Sequence, residues 1–128
     1  MINIQTIGII GAGTMGNGIA QACATRGIDV VMVDINQAGV DAGLATIAKS
    51  LDRLIKKEKM TDADKIAALA RIKTSTQYAD MTTCDLVIEA ATESEALKIK
   101  ILQQLDTVLP ATTLIASNTS SISITKLA

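Results

Sequence analysis

Ile7-Gly-Ile-Ile-Gly11-Ala-Gly13-Thr-Met-Gly16 is an apolar run that breaks into a turn with glycines at its first, third and sixth positions, and a helical run follows. Val30-Val-Met-Val33 is a second apolar run, and it ends on Asp34, 18 residues after Gly16. A glycine pattern of this kind is weak evidence alone. Flanked by a strand, a helix, a second strand and a terminal acid, it specifies a βαβ unit that binds a dinucleotide. Gly11 permits the tight turn, Gly13 lets backbone N–H groups approach a pyrophosphate, and Gly16 lets the helix pack on the strand. The N-terminus of that helix turns its partial positive charge toward the phosphates, and Ala12, Thr14 and Met15 of the turn are candidate cofactor contacts with the glycines. Asp34 can accept hydrogen bonds from ribose hydroxyls and repel a 2′-phosphate, so NAD is expected rather than NADP. The plainer alternative is a connecting turn with a solvated Asp34, which the matching context on both sides disfavours.

The 128 residues are enough for one domain with a buried core. Apolar residues make up 48% of the chain, yet Tyr78 is its one aromatic, so the core must be aliphatic. A net charge of −1 gives no reason to expect nucleic acid or an acidic membrane as partner. No apolar run approaches the roughly 20 residues of a membrane span. The N-terminus enters a strand directly, without a signal-peptide pattern. With no histidine and two separated cysteines, Cys23 and Cys84, no zinc site is expected. Reduced structural thiols and a cytoplasmic location fit these residues best.

Strands and helices alternate along the chain. Strands are expected at 6–10, 30–33, 73–75, 85–90 and 113–116, and helices at 16–25, 37–59, 61–72 and 95–107. The first two strands are continuous β-branched runs, as strands covered on both faces should be. Leu44, Ile47, Leu51, Leu54 and Ile55 recur at helical spacing in the long second helix, as do Leu97, Ile101, Leu102 and Leu105 in the fourth. Thr61 is the expected N-cap of the third helix. Helices two and three, joined near Glu58–Thr61, are expected to form an antiparallel hairpin inserted in the crossover. The fold class is therefore α/β, a Rossmann-type, doubly wound and mainly parallel sheet with an inserted helical hairpin, over 1–128. Ser117–Ser121 is expected as a loop, with a last helix beginning near Ile122 and fraying at Ala128.

Four stretches together resemble one family: Gly-Ala-Gly-Thr-Met-Gly-Asn-Gly-Ile-Ala-Gln (11–21), Ser-Leu-Asp-Arg-Leu-Ile-Lys-Lys (50–57), Val-Ile-Glu-Ala-Ala-Thr-Glu (87–93) and Ala-Ser-Asn-Thr-Ser-Ser (116–121). They resemble the NAD-binding half of the bacterial 3-hydroxyacyl-CoA dehydrogenases, the short-chain 3-hydroxybutyryl-CoA type above all. The resemblance implies that backbone at Glu89, Ala90 and Ala91 lies along the cofactor and that Lys98 reaches it. Asn118 becomes a further candidate cofactor contact, and Ser120 matches the active-site serine that hydrogen-bonds the substrate's 3-oxygen. Ser50 and Lys57, two helical turns apart, match contacts to the CoA moiety. From the residues alone, Lys98 reads as a solvated helix lysine, the Ser117–Ser121 hydroxyls as helix caps, and Lys57 as a favoured helix C-terminal cation.

The family's base, a histidine oriented by a glutamate, and its all-helical second domain, which completes the acyl pocket and usually forms the homodimer, are expected beyond Ala128. By itself the chain is expected to be nearly inactive. Two alternatives stay open on these residues: a stand-alone NAD-binding or regulatory module, and another β-hydroxyacid dehydrogenase.

Overall fold

A computed structural model describes residues 4–90, 95–110 and 112–117. Five strands, β1 (Thr6–Ile10), β2 (Asp29–Val33), β3 (Ile72–Ser75), β4 (Leu86–Glu89) and β5 (Leu114–Ser117), form one sheet in the order β3-β2-β1-β4-β5. All four pairings are parallel. The helices are α1 (Thr14–Thr25), α2 (Gln37–Lys56), α3 (Asp62–Ala70) and α4 (Glu95–Val108), with a 3₁₀ turn at Tyr78–Met81. The alternation read from the sequence is thus present among the described residues, with each boundary there within a few residues of its expected place, and the last helix expected from near Ile122 lies outside them. The main shift is α2, which stops at Lys56 because Glu58 turns into a left-handed conformation at φ 58°.

The strands are buried on both faces because helices cover both. On one face Ile7, Ile9, Val30 and Met32 pack with Ala20 and Ala24 of α1, Ile47 and Leu51 of α2, and Ala68 of α3. On the other, Val31, Val33 and Val87 meet Met81, Cys84, Ile101, Leu102 and Leu105 of α4 and Leu109 just past its end. Strand residues alternate between the two clusters, as the period of two requires. Gly8 faces the second cluster, where an added Cβ would stand 2.8 Å from the Met81 sulfur and 3.1 Å from Cys84 Sγ.

Local chemistry fixes the ends. Asn36 caps α2 by accepting from Gly39 N–H at 2.6 Å. Thr61 and Asp64 form a reciprocal capping box at α3. Gly27, at φ +85°, carries the chain out of α1. Asp52 of α2 and Lys65 of α3 pair at 2.6 Å, so the two helices of the β2–β3 crossover touch as well as follow one another. The Asp85 carboxylate accepts from the N–H groups of Gln5 and Thr6, tying the start of β4 to the start of β1 and holding its own pKa down.

Strand order reverses direction on either side of β1. β2 and β3 lie to one side, and β4 and β5 to the other. The carboxyl ends of β1 and β4 therefore frame the crevice where open α/β sheets bind ligands.

Candidate functional site

The β1–α1 turn is built by three contacts. Gly11 adopts φ +104°, and its N–H donates to Val33 O at 2.7 Å. Ala12 N–H donates to Asp34 Oδ2 at 3.0 Å. Asn17 N–H closes the first helical turn on Gly13 O at 2.8 Å. Gly16 lies so close beneath Gly11 that an added Cβ would be 1.7 Å from Gly11 O. Only glycine fits there. Gly43 of α2 braces the turn from outside, since a Cβ on it would meet Ala12 O at 2.6 Å.

The space on the open side of the turn is different. A Cβ on Gly13 would meet nothing within 4 Å. Gly13 is also the N-cap of α1, offers no side-chain cap, and no acid occupies the first turn. The first N–H groups of α1 have no side-chain cap, and this positive helix end beside the open space at Gly13 suits a pyrophosphate. Met15 is 54% exposed at the same helix end. The turn fits the dinucleotide that its sequence implies.

Asp34 does more than the sequence assigned it. Besides holding Ala12 N–H, its Oδ1 accepts from its own neighbour, Ile35 N–H, at 2.7 Å. The carboxylate therefore bridges the carboxyl ends of β1 and β2, and keeps lone pairs on both oxygens for ribose hydroxyls. Beside it opens a pocket of about 260 Å³. It is lined by Ile10, Gly11, Asp34, Ile35 and Tyr78 and, from α4, by Leu97, Lys100, Ile101 and Gln104. The sequence shows Tyr78 only as the lone aromatic of the chain, and neither the pocket nor the place of Tyr78 in it is expected from the residues alone. The lone aromatic in an otherwise aliphatic chain was the available signal.

Glu89 and Lys98 form the second departure. Glu89, the last residue of β4, is fully buried, and Lys98 is 1% exposed. Lys98 Nζ donates to Glu89 Oε1 at 2.7 Å. The reading of Lys98 as a solvated helix lysine is therefore overturned. Ile101, Leu102 and Leu105 are buried as expected, and the helix departs from the expected face only in its first turn. Leu97 is 46% exposed, whereas Lys98 takes the buried place above Ile101, Leu102 and Leu105. The buried stripe 98-101-102-105-109 has helical spacing and could have been read from the sequence had a lysine been allowed in it.

A charge pair taken out of water is kept only when both members stay. Lys98→Met, which leaves a carboxylate buried without its ammonium partner, is expected to destabilise the domain by about 3–5 kcal/mol in urea unfolding. The double variant Glu89→Leu/Lys98→Met should recover most of that loss. A single variant as stable as wild type would show that the pair carries no such constraint.

The two thiols are not part of the site. Burial pushes Cys84 up to about 11 and raises Cys23 as well, so both stay protonated at neutral pH. Among the described residues no group of three histidine, cysteine or acidic side chains could hold a metal, and no helix is long and apolar enough to cross a membrane.

The structure thus brings Gly11, Ala12, Gly13, Thr14, Met15, Gly16, Asp34, Glu89, Ala90 and Lys98 to one edge of the sheet. Ala90 N–H donates to Ile10 O at 2.8 Å, which continues the β1–β4 pairing to the rim of the crevice. Ser50 and Lys57 are not brought there. They lie toward and at the far end of α2, about 20 and 30 Å along the helix from Asn36 at a rise of 1.5 Å per residue. Ala91, Asn118 and Ser120 lie outside the described residues. Ser117, the end of β5, is in register with Glu89.

Comparison with known proteins bears on this geometry directly. Residues 6–128 match the family model described as 3-hydroxyacyl-CoA dehydrogenase, NAD binding domain. The chain belongs to that family. A 3-hydroxybutyryl-CoA dehydrogenase of Bradyrhizobium diazoefficiens is 46% identical over 98% of this chain and 43% of its own length. The crystal structure of (S)-3-hydroxybutyryl-CoA dehydrogenase PaaH1 from Ralstonia eutropha is 66% identical with a TM-score of 0.92, covering 98% of this chain and 44% of that one. The FadB2 structure of M. tuberculosis, at 39% identity, also superposes with a TM-score of 0.92, over 98% of this chain and 45% of that one. The chain spans less than half the length of these relatives. The family settles the cofactor as NAD and the sheet as Rossmann-like.

Proposed function

We propose that this chain is the dinucleotide-binding half of an NAD-dependent dehydrogenase that interconverts short-chain 3-hydroxyacyl-CoA and 3-oxoacyl-CoA, as 3-hydroxybutyryl-CoA and acetoacetyl-CoA. The observation that carries the reading is the β1–α1 turn, closed beneath by Gly16 and open above at Gly13, with Asp34 at its flank. NAD, when bound, takes a hydride from C3 of the substrate or returns it.

The residues of this chain bind and orient. The N–H groups at the start of α1 hold the pyrophosphate, Asp34 holds the adenosine ribose, and the backbone at Glu89, Ala90 and Ala91 lines the path toward the nicotinamide. Lys98, through Glu89, fixes the end of β4 that carries that backbone. Ser120 holds the substrate's 3-oxygen and Asn118 adds a cofactor contact, both by resemblance to the family. Ser50 and Lys57 contact the CoA moiety, whose length suits a site distant from the glycine turn. Lys56 and Lys59 beside them make this end of α2 basic, as adenosine phosphates require. A further domain supplies the base and forms a homodimer, and the whole enzyme works in the cytoplasm.

Titration with NADH and NADPH tests the cofactor assignment. NADH is expected to bind well and NADPH much more weakly, because a 2′-phosphate would meet the Asp34 carboxylate. Asp34→Ala should weaken NADH binding about 10- to 150-fold, on the order of 1.5–3 kcal/mol for loss of a charged acceptor. NADPH binding as tightly as NADH to the wild-type chain would sink the argument from Asp34.

A further inference from the structure

Two opposite charges taken out of water seldom add net stability, and well-packed apolar side chains of similar volume often do as well. Glu89 is nonetheless fully buried, and Lys98 is 1% exposed. The lysine also stands in the first turn of α4, where the helix dipole disfavours a cation. Packing of β4 and α4 alone would be served as well by two leucines. The pair therefore answers a need beyond the two elements that carry it.

The pair lies at the crevice, across β1 from Asp34. Glu89 is in register with Ile10, the residue before Gly11, and with Ser117 at the end of β5. β1 thus stands between Asp34, just past β2, and Glu89 at the end of β4. Ligands of open α/β sheets straddle the point where strand order reverses. A dinucleotide with a ribose at Asp34 and its pyrophosphate over Gly13 therefore carries its nicotinamide to the β4 side. Burial pushes the Tyr78 phenol up, and the carboxylates of Asp34 and Glu89 push it further. The Glu89 charge is felt in the crevice although its side chain is covered.

The two forms of the cofactor differ on that side by one charge. The nicotinamide ring of NAD⁺ is cationic, and that of NADH is neutral. An ammonium near the ring favours NADH, and a carboxylate favours NAD⁺. Joined at 2.7 Å, the two groups balance each other. We propose that the Glu89–Lys98 pair sets the preference between oxidised and reduced cofactor, with Glu89 neutralising a lysine that would otherwise repel NAD⁺. The proposal goes beyond the NAD-binding reading above and rests on it. A unit charge acting over about 8–12 Å, at an effective dielectric of about 20–40, changes a binding ratio about 3- to 30-fold. Each tenfold change in that ratio moves the potential of the bound two-electron couple by about 30 mV.

The ratio of NAD⁺ to NADH affinity reads this role, with NADH titrated by its fluorescence and NAD⁺ by competition against it. Partial unfolding of a variant lowers both apparent affinities by the same fraction and leaves the ratio untouched, so a merely structural role would not move it. Glu89→Gln is expected to weaken NAD⁺ relative to NADH by about 3- to 30-fold. Lys98→Met should shift the ratio by a similar factor in the opposite direction. The double variant Glu89→Gln/Lys98→Met should return it to the wild-type value. A lone buried ammonium keeps its charge best at low pH and a lone carboxylate at high pH, so the first variant is read at about pH 6 and the second at about pH 9. Each is compared with wild type at the same pH. An unchanged ratio in either single variant, or shifts of the same sign in both, would overturn the role of the pair and leave NAD binding intact. Failure of the wild-type chain to bind either form would instead defeat the reading on which the proposal rests.

Discussion

Gly16→Val is expected to cost the chain its fold, whereas Gly13→Val should cost it only its cofactor. At position 16 a Cβ would lie 1.7 Å from Gly11 O and 2.7 Å from Gly11 C. Neither atom can yield easily, because Gly11 is pinned at φ +104° and its N–H is bonded to Val33 O at 2.7 Å. Relief requires α1 to move off the sheet, which strips Ala20 and Ala24 from the first core cluster. A loss beyond about 4–5 kcal/mol, the exceptional class for one substitution, is the expected result. At position 13 the backbone is extended, at φ −72° and ψ −166°, and the added side chain meets nothing. The fold should persist while the valine fills the volume where a pyrophosphate must approach. Far-UV circular dichroism with urea unfolding reads the first variant, and NADH titration the second. Cooperative, wild-type unfolding of Gly16→Val, or undiminished NADH binding by folded Gly13→Val, would refute the corresponding assignment.

The second large effect concerns turnover. The 128-residue chain alone is expected to oxidise 3-hydroxybutyryl-CoA at less than about one thousandth of the rate of a full-length relative. It contains no histidine. Its other candidates for proton transfer move the wrong way. Burial and the carboxylates of Asp34 and Glu89 raise the Tyr78 phenol, and burial drives Cys84 up to about 11. A serine hydroxyl such as Ser120 cannot take a proton at neutral pH unaided. Loss of a general base removes about 10²–10⁴-fold, and loss of substrate positioning adds to that. NADH formation from 3-hydroxybutyryl-CoA and NAD measures it, with NADH binding as the control that the cofactor site is intact. Robust, saturable turnover would mean that a base is present within these residues.

Much of this was legible in the sequence because the relevant physics is local. The β1–α1–β2 unit announces itself through two apolar runs, three glycines with separate steric duties and an acid at a strand end. Thr61 with Asp64 three residues on specifies a helix start by hydrogen bonds that span one turn. The positions that escaped detection depend on contacts made across the fold. In the first turn of α4 it is Lys98 and not Leu97 that is buried, against Glu89 nine residues earlier in the chain, because a buried carboxylate demands a cation more strongly than a leucine demands burial. Gly43 appears unremarkable in a helix until Ala12 is found against it. Tyr78 looks like a loop aromatic until β2, β4 and α4 assemble around it.

The contact between the Asp34 carboxylate and Ala12 N–H has a consequence for how cofactor preference can change in such a domain. The group that excludes the 2′-phosphate is also a strut of the phosphate-binding turn. Removing it to admit NADP loosens the turn that must hold any dinucleotide, so the first step toward the new cofactor lowers affinity for both. A route that keeps binding throughout must pass through a neutral side chain that can still accept from Ala12 N–H, such as asparagine or serine, before a cation is introduced nearby. Cofactor choice here is buffered by architecture as much as by charge.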